Sequence, residues 1–113
     1  MGSPITTHVL DTARGGPAPG IPVTLEREVD GAFDKIGGGV TNNDGRVADL
    51  TDAATFTAGT YRITFATQAY FDALGIDGFY PYASIVFRIT APDEHYHVPL
   101  LLSPYGYQTY RGS

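Results

Sequence analysis

The chain predicts an all-β sandwich, on three observations. Short segments in which apolar and polar residues alternate recur along it, separated by turn residues. The composition, with 14 Gly, 8 Pro and 8 Tyr in 113 residues, suits many tight turns and few long elements. Alternating strand–helix units are missing, which argues against a doubly wound sheet. The length predicts a single domain over 1–113, large enough to bury a core without a metal or disulfide staple.

The elements follow in order. Ile5 to Asp11 is rich in β-branched residues and reads as the first strand. Gly15-Gly16-Pro17-Ala18-Pro19-Gly20 is a loop. Pro22 to Val29 sets Val23, Leu25 and Arg27 against Thr24, Glu26 and Glu28, a half-buried strand that turns at Asp30-Gly31. Phe33 to Thr41 is a third strand, and Gly37-Gly38-Gly39 within it reads as a bend or bulge. Asn42-Asn43-Asp44-Gly45 is a strong turn, followed by a short strand from Arg46 to Leu50. Tyr61 to Thr67 is the clearest alternating strand. One helix should follow, capped by Thr67, with Tyr70, Ala73 and Leu74 on its docked face and Gly75 as its stop. Ser84 to Ala91, His95 to Leu102 and Tyr105 to Tyr110 complete about eight strands.

Composition excludes several classes of function. Cys is absent, so thiol nucleophiles, disulfides and thiolate metal sites are out. Seven Lys and Arg against 12 Asp and Glu give a formal charge of −5, with no basic stripe for nucleic acid. No apolar run approaches a membrane span, so no membrane partner is expected. Met1-Gly2-Ser3-Pro4 has no basic stretch leading into an apolar one, which predicts no signal peptide and a cytoplasmic location.

Few polar residues resist a bland explanation. His8 lies mid-strand on the face of Thr6 and Leu10, and His95 and His97 are two apart. A strand histidine is more often packed or solvated than catalytic, and a lone Arg46 after a turn is usually an edge charge. His8, His95 and His97 would suit a three-histidine zinc site, although no carboxylate or Cys joins them. Glu26 and Glu28 share a face with no evident partner, and with Asp93 and Glu94 they read as surface charge. Tyr80, Tyr82, Tyr105 and Tyr107 suit a core edge or an interface.

Three segments together resemble one family. Thr6-Thr7-His8-Val9-Leu10-Asp11-Thr12, followed by Gly16-Pro17-Ala18, is similar to the opening motif of the transthyretin-like 5-hydroxyisourate hydrolases. Asn43-Asp44-Gly45-Arg46 is similar to their central Asp-Gly-Arg turn. The stretch from His95-Tyr96-His97 to Tyr110-Arg111-Gly112-Ser113 resembles their C-terminal signature almost throughout. A departure lies at Phe79-Tyr80-Pro81-Tyr82-Ala83, where the family often has an acidic residue after the proline.

The resemblance implies a transthyretin-like (prealbumin) β-sandwich of two four-stranded sheets with one short helix. It implies a homotetramer, a dimer of dimers with active sites at the dimer–dimer interface. The implied reaction is hydrolysis of 5-hydroxyisourate to 2-oxo-4-hydroxy-4-carboxy-5-ureidoimidazoline in urate degradation, with no metal and no cofactor. Catalytic roles carry over to His8, Arg46, His97 and Ser113, and substrate contacts to His8, Arg46 and Tyr110. His95 is not among the family's catalytic positions and reads as structural or solvated. Water must lose a proton, the carbonyl oxygen must be stabilised and the leaving nitrogen must gain a proton. Imidazoles suit the first and last, in an order the residues leave open. Arg46 suits the oxyanion and by like-charge repulsion favours neutral imidazoles, while Ser113 offers a hydroxyl and a carboxylate. Two alternatives stay open, a zinc hydrolase on the three histidines and a non-catalytic carrier of the transthyretin type.

Overall fold

Period-2 alternation becomes two packed sheets. The computed structural model describes residues 3–53 and 56–112. Its elements are β1 (Ile5–Asp11), β2 (Gly16–Pro17), β3 (Pro22–Val29), β4 (Ala32–Val40), β5 (Arg46–Val47), β6 (Gly59–Phe65), α1 (Thr67–Leu74), β7 (Ala83–Ile89), β8 (Tyr96–Ser103) and β9 (Gly106–Thr109). One sheet runs β2-β1-β8-β9 with β5 also on β1, and the other runs β4-β3-β6-β7. The expected sandwich is therefore present, with five strands in one sheet and four in the other rather than four in each, because two-residue strands share one edge of β1. β2 pairs at Leu10–Asp11 and β5 at Thr7–His8.

Alternate residues of β1 are buried, so Ile5, Thr7, Val9 and Asp11 face inward and Thr6, His8 and Leu10 face outward. Val98, Leu100 and Leu102 of β8 pack with them against Leu25, Ile63 and Phe65 of the facing sheet. β1 and β8 run parallel, with Ile5 opposite Tyr96, Thr6 opposite His97 and His8 opposite Pro99. The buried Thr7 hydroxyl donates to the Val98 carbonyl at 2.6 Å and ties the two strands from inside. Among the described residues no helix is long and apolar enough to cross a membrane.

Several expectations are corrected. The β3–β4 register shifts between Leu25 and Glu26, which locates the bulge beside the Gly37 triplet. β5 ends at Val47 rather than Leu50, and β8 begins at Tyr96, leaving His95 just before it. Thr67 does not cap α1: Ala66 holds that position, and the Thr67 hydroxyl donates to the Tyr80 carbonyl at 3.3 Å. The docked face is Thr67, Tyr70 and Phe71, while Leu74 is 40% exposed. Tyr70 sets that rotation because its hydroxyl must reach Asp11. Gly75 does end the helix, at φ 68°. Glu26 is not without a partner: Arg62 grips it through Nε at 2.8 Å and Nη2 at 3.1 Å. That guanidinium also lies 4.2 Å over the Phe33 ring and holds the Glu26 carboxyl below the usual range.

Asp11 anchors the helix to the first sheet. Its buried carboxylate accepts from Tyr70 Oη at 2.7 Å and from the backbone N–H of Ala13 and Arg14 at 3.0 and 3.1 Å. Burial pushes the Tyr70 phenol up, so it stays a donor at neutral pH. Tyr70→Phe leaves one carboxylate oxygen short of its donor and should lower stability by about 1–3 kcal/mol. Urea unfolding checks this, and an unchanged midpoint would remove Asp11–Tyr70 as the helix anchor.

Candidate active site

The turn before β5 has one task, which is to deliver Arg46 to the outer face of β1. Asn42 Oδ1 accepts from the backbone N–H of Asp44 at 2.9 Å and of Arg46 at 3.0 Å. Asn42 N–H donates to the Arg46 carbonyl at 2.8 Å, and Gly45 N–H to the Asn42 carbonyl at 2.9 Å. Gly45 has φ 74°, and a Cβ there would collide with the Val9 carbonyl oxygen. Only glycine satisfies both the left-handed backbone and that close approach. The Gly45 carbonyl in turn accepts from Val9 N–H at 2.7 Å, which locks the turn onto β1.

Arg46 then sits directly opposite His8. His97 lies on the other side of β1, opposite Thr6 and so diagonal to His8. Three strands, β5, β1 and β8, thus bring Arg46, His8 and His97 onto one open face. His8 and His97 are half-buried and Arg46 is exposed. Neither the His8 ring nor the Arg46 guanidinium has a hydrogen-bond or ion-pair partner among the described residues.

His97 is the most constrained of the three. Burial depresses its pKa first, and the charges of Arg46, His8 and His95 depress it further. It is therefore neutral at neutral pH and able to accept a proton. Thr6 Oγ1 lies 2.9 Å from His97 Nδ1 and 2.9 Å from His95 Nε2. Gly112 closes the other side of the ring: its N–H donates to the His97 carbonyl at 2.8 Å, and a Cβ on it would lie 2.6 Å from His97 Cδ2. Thr6 and Gly112 thus hold His97 from two sides, contacts to which the sequence gives no direct pointer. Thr6 is legible as the residue sharing a strand face with His8 and, like Gly112, as part of a family motif.

The remaining expected residues stand apart. Tyr110 is exposed and lines a crevice of about 210 Å³ with Phe87, Tyr96 and Val98 at the open edge between the sheets. No hydrogen bond ties it to the histidines among the described residues. Ser113 lies outside the described residues, one position beyond Gly112. His95 is exposed yet hydrogen-bonded to Thr6, so it is neither buried nor merely solvated. Among the described residues no group of three or more His, Cys, Asp or Glu side chains is placed to hold one metal ion.

Comparison with known proteins narrows what such a face does. The model of the HIUase/Transthyretin family matches residues 5–112. A mouse protein named 5-hydroxyisourate hydrolase is 45% identical over 113 residues, covering 98% of this chain and 96% of its own length. The structure of Klebsiella pneumoniae 5-hydroxyisourate hydrolase aligns with TM-score 0.84 and 39% identity, over 96% of this chain and 92% of that one. Sea bream transthyretin, solved in complex with thyroxine, aligns with TM-score 0.90 and 34% identity, over 96% and 94%. Backbone shape is thus shared between a hydrolase and a transthyretin, so the fold alone does not separate the two activities.

Replacing Arg46 by Gln removes a like charge from the surroundings of His97, so the His97 titration midpoint should move upward. The midpoint should lie below the ordinary imidazole value of about 6.5 in the native chain, and in the variant it should rise but stay below that value, because burial, the larger cause, is unchanged. An NMR titration of the His97 ring protons measures this; a midpoint that does not move separates the two residues electrostatically.

Proposed function

The chain belongs to the HIUase/Transthyretin family, and on that premise we propose how its outer-face cluster works. It is a hydrolase that opens the ring of 5-hydroxyisourate in the degradation of urate. The site we assign to this reaction is His8, Arg46 and His97, completed by Ser113. One observation carries the assignment: a guanidinium without a carboxylate partner among the described residues faces two imidazoles, one of them held neutral.

Arg46 is a permanent cation with a planar fork, suited to an anionic, carbonyl-rich ring. It stabilises the oxyanion that forms when water adds to the ring carbonyl. His97 takes the proton of that water, because its neutral form is favoured by burial and by Arg46. His8, across from Arg46 and without a partner of its own among the described residues, orients the ring or returns a proton to the leaving nitrogen. Tyr110 contributes a substrate contact in this reading, and Ser113 a hydroxyl and a carboxylate that orient water or an imidazole, on the strength of the terminal Tyr-Arg-Gly-Ser motif. A transthyretin-type carrier needs no such polar group in an apolar binding channel, which is what favours the hydrolase.

We assign the working form to a homotetramer, a dimer of dimers, with each site at a dimer–dimer interface. Support comes from the site itself. Its three side chains lie on an open sheet face, so one copy offers a surface where a small polar substrate needs an enclosure. The exposed Phe79, Tyr82, Tyr105 and Tyr110 leave further apolar area for association.

Forming 5-hydroxyisourate in situ with uricase and following its ultraviolet decay tests the reaction directly. The protein should accelerate the decay equally with and without a chelator. Arg46→Gln should lower kcat about 10²–10³-fold, in the range seen when an oxyanion donor is lost, and His97→Asn about 10²–10⁴-fold. Ligand binding without turnover would favour the carrier, and loss of turnover with chelator the zinc site.

Dilution tests the assembly. Light scattering should give a four-chain mass, and specific activity should fall as the tetramer dissociates. Full activity in a species shown to be monomeric would place the site within one chain.

A further inference from the structure

Thr6 presents one hydroxyl to two imidazoles. Its Oγ1 lies 2.9 Å from His95 Nε2 and 2.9 Å from His97 Nδ1. A hydroxyl has one hydrogen to give, so if one ring receives it, the other ring must donate its own N–H to the oxygen. The tautomers of the two rings are thereby linked through one atom.

Two observations give the link a direction. His95 is exposed and precedes β8, so its ring is free to carry its hydrogen on Nδ1 and offer Nε2 as an acceptor. Gly112 packs against the Cδ2 edge of His97, and among the described residues that edge has no polar partner to compete with Thr6.

We propose that Thr6 and His95 are positioning residues for His97: Thr6 Oγ1 donates to His95 Nε2 and accepts from His97 Nδ1–H, which leaves His97 Nε2 unprotonated on the open face. An unprotonated Nε2 is the form that removes a proton from water. The other tautomer would present an N–H and act only as a donor. The inference rests on the reading of His97 as the base and says how the fold selects the basic nitrogen.

Tautomer and turnover are measured separately. Long-range ¹H–¹⁵N spectra of the neutral imidazoles should show His97 protonated at Nδ1 in the native chain. Thr6→Val, which keeps the shape and removes the hydroxyl, should shift His97 toward the Nε2–H form. His95→Phe, at an exposed position outside any strand, should shift it in the same direction and guards against a folding defect in β1. Both should lower kcat by about tenfold or more with little change in KM, and Thr6→Ser should restore most of it. A native His97 protonated at Nε2 overturns the proposal, as does a Thr6→Val loss that serine fails to restore. So do unchanged kcat and tautomer in both variants. If the native chain has no turnover, the hydrolase reading fails instead, and the spectra still decide the tautomer.

Discussion

Parallel pairing of β1 with β8 is the constraint on which the site depends. It is the one parallel pairing among the described strands, and parallel neighbours need a long crossover. Here the second sheet and the helix supply it. The register sets Thr6 beside His97, and a slip of one residue would turn every outward side chain of β1 into the core. Buried Thr7, hydrogen-bonded to Val98, guards that register from below while Thr6 uses it above.

Packing and chemistry divide the same strands between them. Ile5 and Val9 are fully buried, and their neighbours Thr6 and His8 remain available on the opposite face. The core therefore fixes the backbone that holds the imidazoles without contributing to the reaction. β5 extends the division to Arg46: Val47 is buried and packs inward, which directs the preceding side chain outward. The Asn42 network makes this geometry independent of what the guanidinium touches, so its charge need not be neutralised for the turn to hold.

How much of this was legible depends on range. β1 and β3 have the bounds that alternation assigns, because each has one buried and one wetter face. β2 and β5 are too short for any period to register. The rotation of α1 follows from Asp11 and Tyr70, 59 residues apart, and the partner of Glu26 from the β3–β6 register. Neither is a local signal. Pattern alone makes Arg46 an edge charge and joins His8 with His97 only as candidate zinc ligands; motif resemblance groups them with Arg46, and the β5–β1–β8 register supplies the physical reason. His95 reads as structural or solvated because it is not among the family's catalytic positions; its hydrogen bond to Thr6, 89 positions away, leaves no trace in spacing.

The guanidinium of Arg46, without a partner among the described residues, also has a long-range consequence. The chain carries a formal charge of −5, so an anionic substrate approaching from a distance meets net repulsion. Attraction from a single surface cation is felt only within about one screening length, roughly 8 Å at physiological salt. Capture is therefore a short-range event against an opposing field. Moderate added salt should weaken the opposing field at distances where Arg46 contributes little, making this a site whose encounter rate is not maximised at the lowest ionic strength.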